Sequence, residues 1–322
     1  MSATRGASVT ASLRWIHVAA FLAGMTSAAF AQADYPSRTI RVIVPVPPGP
    51  VADVVPRLIG EKLAAQWSQP VVIENRPGAG SNVGADAAAR AEPDGYTLLA
   101  TPPAPLVISQ HFYRHISFDP TAFVPISVMV KVPAVLVVHP KLPVADLPQL
   151  IAHARDNPDK LSYGSPGAGQ TPQLAMVKLM AAAGIRLNHI PYQGLAPASR
   201  DLLAGHIDVM IDNLGNVAEH VKAGRLKLLA VTTEARIPEL PDVPTVAETL
   251  PGVTHTDWFA VVAPPRTPAA IAEALQQPDI ARRLKELSLV PVASTPAETA
   301  ALMKRESESW RQVISASGLK AD

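Results

Sequence analysis

The order of elements written into this sequence predicts an α/β protein built as two doubly wound lobes that face a central cleft. Three observations carry that expectation. Short β-branched runs alternate with stretches of helical periodicity, the order that produces parallel sheets covered by helices. The alternation runs through twice before the chain turns back with one more strand. Glycine-rich or proline-rich turns follow several strands, and ligands of open α/β sheets sit at such carboxyl ends. With 322 residues, 48% of them hydrophobic, there is ample material for this core, and low charge with high apolar content excludes intrinsic disorder.

Ile40 to Pro45 reads as the first strand, closed by the turn Pro47-Pro48-Gly49-Pro50. Val54, Val55, Leu58, Ile59 and Leu63 then recur at helical spacing, with Asp53 placed as an N-terminal cap. Val71 to Ile73 is a strand, Ala85 to Ala91 a helix, and Tyr96 to Ala100 a strand ending at Thr101-Pro102-Pro103. The second run has strands at Val135 to Val138, Leu161 to Tyr163, His189 to Tyr192, Ile207 to Ile211 and Leu226 to Val231. Its helices lie at Leu147 to Arg155, Leu174 to Ala183, Pro197 to Ala204 and Val217 to Lys222. Phe259 to Val262 is the returning strand, and the C-terminal helices rejoin the first lobe. The expected boundaries are 34–132 with 258–322 for lobe 1 and 133–257 for lobe 2, with hinges near Val130–Pro133 and Asp257–Ala263.

Residues 1–31 are expected to leave before folding. Arg5 and Arg14 precede an apolar run from Trp15 to Met25, and Ala29-Phe30-Ala31 offers a cleavage site, with Ala33 as the alternative. The run is short for a bilayer span, so a secretory signal peptide cleaved near Ala31 and an exported, periplasmic, monomeric protein are expected. Loss of the two arginines turns a formal charge of +1 into −1. Such a charge provides no field for nucleic acid, and the absence of cysteine excludes disulfides, thiol chemistry and cysteine-held metals.

Several motifs fall short of the chemistry they imitate. Gly78, Gly80 and Gly84 imitate a dinucleotide loop, but the third glycine falls one residue late and no acid follows about 20 positions on. The loop is then either an anion site made of backbone N–H groups or simply a tight turn. Gly164-Ser165-Pro166-Gly167 lacks the glycine a nucleophile elbow needs, since Tyr163 stands there. His111 and His115 have only Asp119 nearby and read as surface histidines, and Ser317 with Lys320 follows no core strand. No catalytic constellation, cofactor or metal is expected.

The segments YPSRTIRVIVPVPPG, VVIENRPGAGSNVGA and PDGYTLL, then HIPYQGLAPASRDLLAGHIDVMIDN, KAGRLKLLAVTT and LPDVPTVAET, follow one another in an order that resembles the Bug family, the tripartite tricarboxylate receptors. The resemblance implies a type II periplasmic-binding-protein-like fold, a small carboxylate closed between two lobes, and membrane transporter subunits as partners. It also implies the ligand-binding positions: Pro48, Gly49, Asp53, Gly80, Ser81, Asn82 and Thr101 from the first lobe, with Ser165, Gly167, Ala168, Gly169, Gln173, Asp212 and Asn213 from the second. The bland reading of Asp212 is a helix cap.

Departures from the family pattern shape the expected ligand. Where the family usually reads PGGSTD, this chain has Pro48-Gly49-Pro50-Val51-Ala52-Asp53, and Pro50 removes an N–H donor. The third-strand loop is Thr101-Pro102-Pro103-Ala104-Pro105, Pro166 replaces a common serine, and Gln173 stands where histidine is frequent. Thr267 to Pro278 is about two helical turns shorter than in relatives. With 33 prolines, about twice the usual share, much of the excess falls in these loops. The second lobe is therefore expected to grip the carboxylate while the first meets an apolar, even aromatic, ligand body. A sensor partner without a transport role and an exported hydrolase stand as alternatives.

Overall fold

The computed structural model describes residues 35–267, 290–292 and 294–320. The signal-peptide reading of residues 1–31 and most of the shortened 267–278 segment lie outside them. The N-terminal half forms β1 (Ile40–Val44), α1 (Val51–Trp67), β2 (Val71–Asn75), α2 (Asn82–Ala89), β3 (Thr97–Thr101), α3 (Ser109–Phe112) and the long β4 (Val124–Val138). Next come α4 (Leu147–Asp156), β5 (Ser162–Ser165), α5 (Thr171–Ala183), β6 (Asn188–Pro191), α6 (Leu195–Ala204), β7 (Val209–Asn213), α7 (Leu214–Lys222) and β8 (Lys227–Val231). The chain closes through α8 (Val246–Thr249), β9 (Thr256–Ala263), β10 (Val290–Pro291) and α9 (Pro296–Ser317).

Pairing turns this order into two copies of one pattern. β1 lies parallel between β2 and β3, and β5 lies parallel between β6 and β7. Each trio is bordered by an antiparallel strand, β9 beside β3 and β4 beside β7. The halves thus read β2-β1-β3-β9 and β6-β5-β7-β4, joined where β9 pairs with β4. The parallel trios need crossover helices, and the observed helices supply them.

Burial follows the same division. Ile43, Leu99, Val107, Val262 and Trp310 share one core with α9. Along β4 the side chains alternate, as a pleated strand requires: Leu136 and Val138 join Leu150 and Leu179 on one face, and Val135 and Val137 join Leu202 and Val217 on the other. Leu174 of α5 and Ala168 pack into the first core, so the second half's glycine loop is anchored in the first half.

Three expectations need correction. β4 is 15 residues long instead of four, because Pro125 and Pro133 disguise its first part. Proline supplies no ladder donor, and the strand accommodates its prolines with register shifts at Pro125/Ser127 and Val128/Val130 and a change of partner after Pro133. The loop expected after Thr101 becomes helical from Ala104 to Phe112, opened by Pro103 and containing a wide turn from the Ala104 carbonyl to the Ser109 N–H. Asp53 does not cap α1, which starts at Val51 behind Pro50. It occupies the third helical position and reaches back to accept from the Gly49 N–H at 2.9 Å.

α2 approaches the end of β1 so closely that a Cβ added at Gly84 would lie 2.7 Å from the Pro45 Cβ and 2.9 Å from the Arg76 carbonyl oxygen. Gly84→Ala should lower stability by about 1–3 kcal/mol, read as a shift of the urea midpoint; an unchanged midpoint would contradict this packing.

Candidate functional site

A cleft of about 300 Å³ opens where the carboxyl ends of β1, β3, β5 and β7 converge, a size at the lower end for small-molecule sites. One wall comes from the β1–α1 turn and the Pro77–Ser81 loop, the other from Pro166–Gly167, the start of α5 and the Tyr192–Leu195 turn. Asn213, Asp257 and Phe259 form its floor. Seven of the lining residues are prolines, Pro47, Pro50, Pro102 and Pro166 among them, and none is Lys, Arg or His.

The floor follows from register. Pro133 of β4 faces Thr256 of β9, and the next residue, Ala134, faces Asn213 of β7. This exchange of partners brings the end of β7 beside the beginning of β9, and Asp257 beside Asn213. Thr171, the first residue of α5, donates its hydroxyl to Asp257 Oδ1 at 3.2 Å, and the Trp258 N–H donates to the same oxygen at 3.1 Å. Burial pushes the Asp257 carboxyl up to about 7, against the pull of these donors and of the Asn213 side chain.

Of the positions matched to the family, Gly80, Ser81, Gly167 and Asn213 line the cleft. Gly78 to Ser81 all have positive φ, including the non-glycine residues Ala79 and Ser81, a conformation that carries backbone strain. Tyr113 helps fix this loop against its counterpart: its hydroxyl donates to the Ala168 carbonyl at 3.3 Å, and a Cβ at Gly80 would lie 2.5 Å from that hydroxyl.

The remaining positions sit around or behind the lining. Pro48 and Gly49 are exposed on the β1–α1 turn. Asp53 is buried and accepts from Gly49, from Arg57 Nε at 3.0 Å and from Asn75 Nδ2 at 2.8 Å. Although burial pushes its pKa up, the Arg57, Asn75 and Gly49 hydrogen bonds win and hold it below the usual range. Asn82 accepts from Ser109, and Thr101 donates to the Pro102 carbonyl. Asp212 is fully buried and accepts from Ser199 at 2.6 Å, Asn216 at 2.8 Å and the Asn213 N–H at 2.7 Å, tying β7 to α6 and α7. Burial pushes its carboxyl up to about 6 against those bonds.

Ser165 meets a histidine that sequence spacing did not reveal. β5 and β6 place Tyr163 opposite His189, their rings stack 4.8 Å apart, and His189 Nε2 lies 2.6 Å from Ser165 Oγ. Gln173 Oε1 accepts from the Gly169 N–H at 2.7 Å, which turns the Gln173 Nε2 donor toward His189 Nδ1 at 3.5 Å. Ser165 Oγ also donates to the Gly167 carbonyl at 3.2 Å, so its proton already has a partner other than the imidazole. A serine nucleophile needs Nε2 as the acceptor of that proton. Ser165 is also fully buried. His111, read as a surface residue, is half-buried with its Nε2 2.8 Å from Ser307 Oγ of α9, while His115 is exposed. Among the described residues no group of three or more His, Asp or Glu is placed to hold a metal.

Two three-strand parallel halves, each closed by an antiparallel strand and meeting over a small cleft, define a solute-binding protein. The chain matches the tripartite tricarboxylate transporter family receptor over residues 55–319 and belongs to that family. It is 36% identical to protein BugT of Bordetella pertussis over 312 residues, covering 93% of this chain and 96% of BugT. R. palustris Rpa4515 with adipate superposes with a TM-score of 0.83 at 32% identity, covering 89% of this chain and 99% of that one. MatC from Rhodopseudomonas palustris with bound malate gives 0.79 at 29% identity, covering 87% and 100%.

Because Asp257 binds its proton more tightly folded than unfolded, the stability it contributes is complete below the ordinary value of 3.8 and is lost as pH rises through about 7. Asp257→Asn should therefore raise the thermal midpoint at pH 8, by on the order of 5 °C, with the gain vanishing near pH 4. An equal gain at both pH values would contradict the burial of an uncompensated charge.

Proposed function

We propose that this protein is a periplasmic binding protein that captures a small monocarboxylate with an apolar body and closes its two lobes around it. The observation that carries this reading is the lining of the cleft: prolines, Phe259, strained glycine-loop backbone, and no cationic side chain. A carboxylate held there is met by backbone N–H groups, by neutral donors of the lining such as Ser81, Gln170 and Gln193, and by the start of α5, a 13-residue helix whose N-terminal dipole favours an anion. A second carboxylate on the same ligand would face a wall poor in donors and be desolvated without a partner.

In this reading Gly80, Ser81, Gly167 and Asn213 contact the ligand. Asp53 and Asp212 hold the loops that carry those contacts, and Pro48, Gly49, Asn82, Thr101, Ala168, Gly169 and Gln173 shape them. The lobes are residues 34–132 with 258–322 and residues 133–257, and they move about the β4–β9 crossing at Val130–Pro133 and Asp257–Ala263. The adipate and malate carried by relatives support a carboxylic acid as the class of solute. Family membership supports delivery to membrane transporter subunits; in this reading the receptor is exported and monomeric. The full burial of Ser165 argues against the hydrolase alternative.

A thermal-shift screen followed by calorimetry tests the proposal, since a ligand selective for the native state raises apparent stability. Apolar monocarboxylic acids should bind more tightly than citrate or succinate, and small-angle scattering should record compaction at saturation. Tight citrate binding with no response to any monocarboxylate would overturn the ligand class, and unchanged scattering at saturation would overturn the hinge.

A further inference from the structure

The floor of the cleft holds two acceptors that the fold leaves without a counter-charge. Asn213 is 2% exposed, and its Oδ1 has no hydrogen-bond partner. Its side-chain amide is already committed to Asp257, itself 4% exposed. Asn213 and Asp257 both belong to the lining of the cleft, which contains no Lys, Arg or His. A buried polar atom without a partner carries the full desolvation penalty, so an orphan acceptor on a ligand-facing surface is filled most favourably by a ligand donor.

We propose that Asn213 and Asp257 form an ammonium subsite, so that the captured solute is a carboxylic acid that also carries a protonated amine. The inference rests on the carboxylate reading above and narrows it. An ammonium has three donors and a positive charge, so one group can satisfy Asn213 Oδ1 and compensate Asp257. A hydroxyl has a single donor and no charge, so it cannot both satisfy Asn213 Oδ1 and compensate Asp257. Thr171 joins the floor to the start of α5, so the carboxylate and the amine are received on neighbouring parts of one surface.

The charged surroundings of Asp257 point the same way. Burial is the main cause that drives its carboxyl up to about 7, and Glu306 of α9 adds to it, while Thr171, the Trp258 N–H and Asn213 pull it down. His255, two residues before Asp257 and just ahead of β9, is held neutral, depressed to about 4 by burial and by Lys178 of α5. Lys178, Lys131 and Arg305 act on Glu306. An ammonium entering the floor lowers the Asp257 pKa and expels its proton.

Calorimetry on the purified protein with matched pairs differing only in the amine tests this: L-phenylalanine against 3-phenylpropanoate, L-leucine against 4-methylpentanoate, L-aspartate against succinate. In at least one pair the amino acid should bind tenfold or more tightly at pH 8, with the preference shrinking below pH 6. Enthalpies measured in buffers of different ionisation enthalpy should reveal proton release near pH 7, a readout that needs no variant. Asp257→Asn should erase the preference for the amine within each pair. Binding confined to acids without an amine, or a preference that survives Asp257→Asn, overturns the ammonium subsite and leaves the carboxylate reading standing. Failure of every carboxylic acid to bind overturns both.

Discussion

The change of partner along β4 is the constraint on which the rest depends. Its first ten residues run antiparallel to β9, and its last five pair with β7 and β8. One continuous backbone therefore belongs to both halves of the sheet, and the exchange falls at Pro133 and Ala134, beside a residue that has no N–H to give. The exchange sets Asn213 next to Asp257 and fixes where the carboxyl ends of the two parallel trios can face one another. A slip of one residue in this ladder would turn each β4 side chain to the opposite face and break the alternation that fills two cores at once.

The cleft also has an unusual electrostatic character for a protein expected to hold an anion. Its three nearby aspartates differ in what they touch. Asp53 is paired with Arg57 and satisfied, and Asp212 is surrounded by donors from its own helices. Both secure loops, and neither lines the cleft. Asp257 belongs to the lining, has no cationic partner there, and keeps its proton into the neutral range. Attraction for an anion then comes from neutral side-chain donors of the lining and from backbone dipoles, and the dipoles are fixed by the fold and bring no side-chain entropy penalty.

Much of this was legible in the sequence. The β-branched run at Ile40 and the helical spacing after Val54 gave correct elements, as did strands β5 to β8 of the second run, whose ends shifted by at most two residues. β4 was hidden because Pro125 and Pro133 read as breakers, and only the neighbouring strands show how bulges absorb them. The helical turn at Ala104 was hidden for the same reason, since Pro102, Pro103 and Pro105 look like loop. In the site, Gly80 and Gly167 were reached through the family resemblance, and both sit at positive φ in the loops that line the cleft. The Ser165–His189 contact depends on register between strands 24 residues apart, and Asp257 looks like an ordinary strand residue until β4's exchange of partners places it at the floor. The predicted polar positions that lie behind the lining, such as Asp53 and Asp212, carry the right chemistry, but sequence does not reveal which way a side chain faces.

The central claim is that backbone on both walls, with Asn213 at the floor, receives the solute. Amide chemical shifts followed during titration with a carboxylic acid that raises the thermal midpoint test it most directly. The account predicts the largest changes at the N–H groups of Gly80, Ser81, Gly167 and Thr171 and at the side-chain amide of Asn213. Large changes confined to one lobe's outer surface, with these five signals unmoved at saturation, would contradict it.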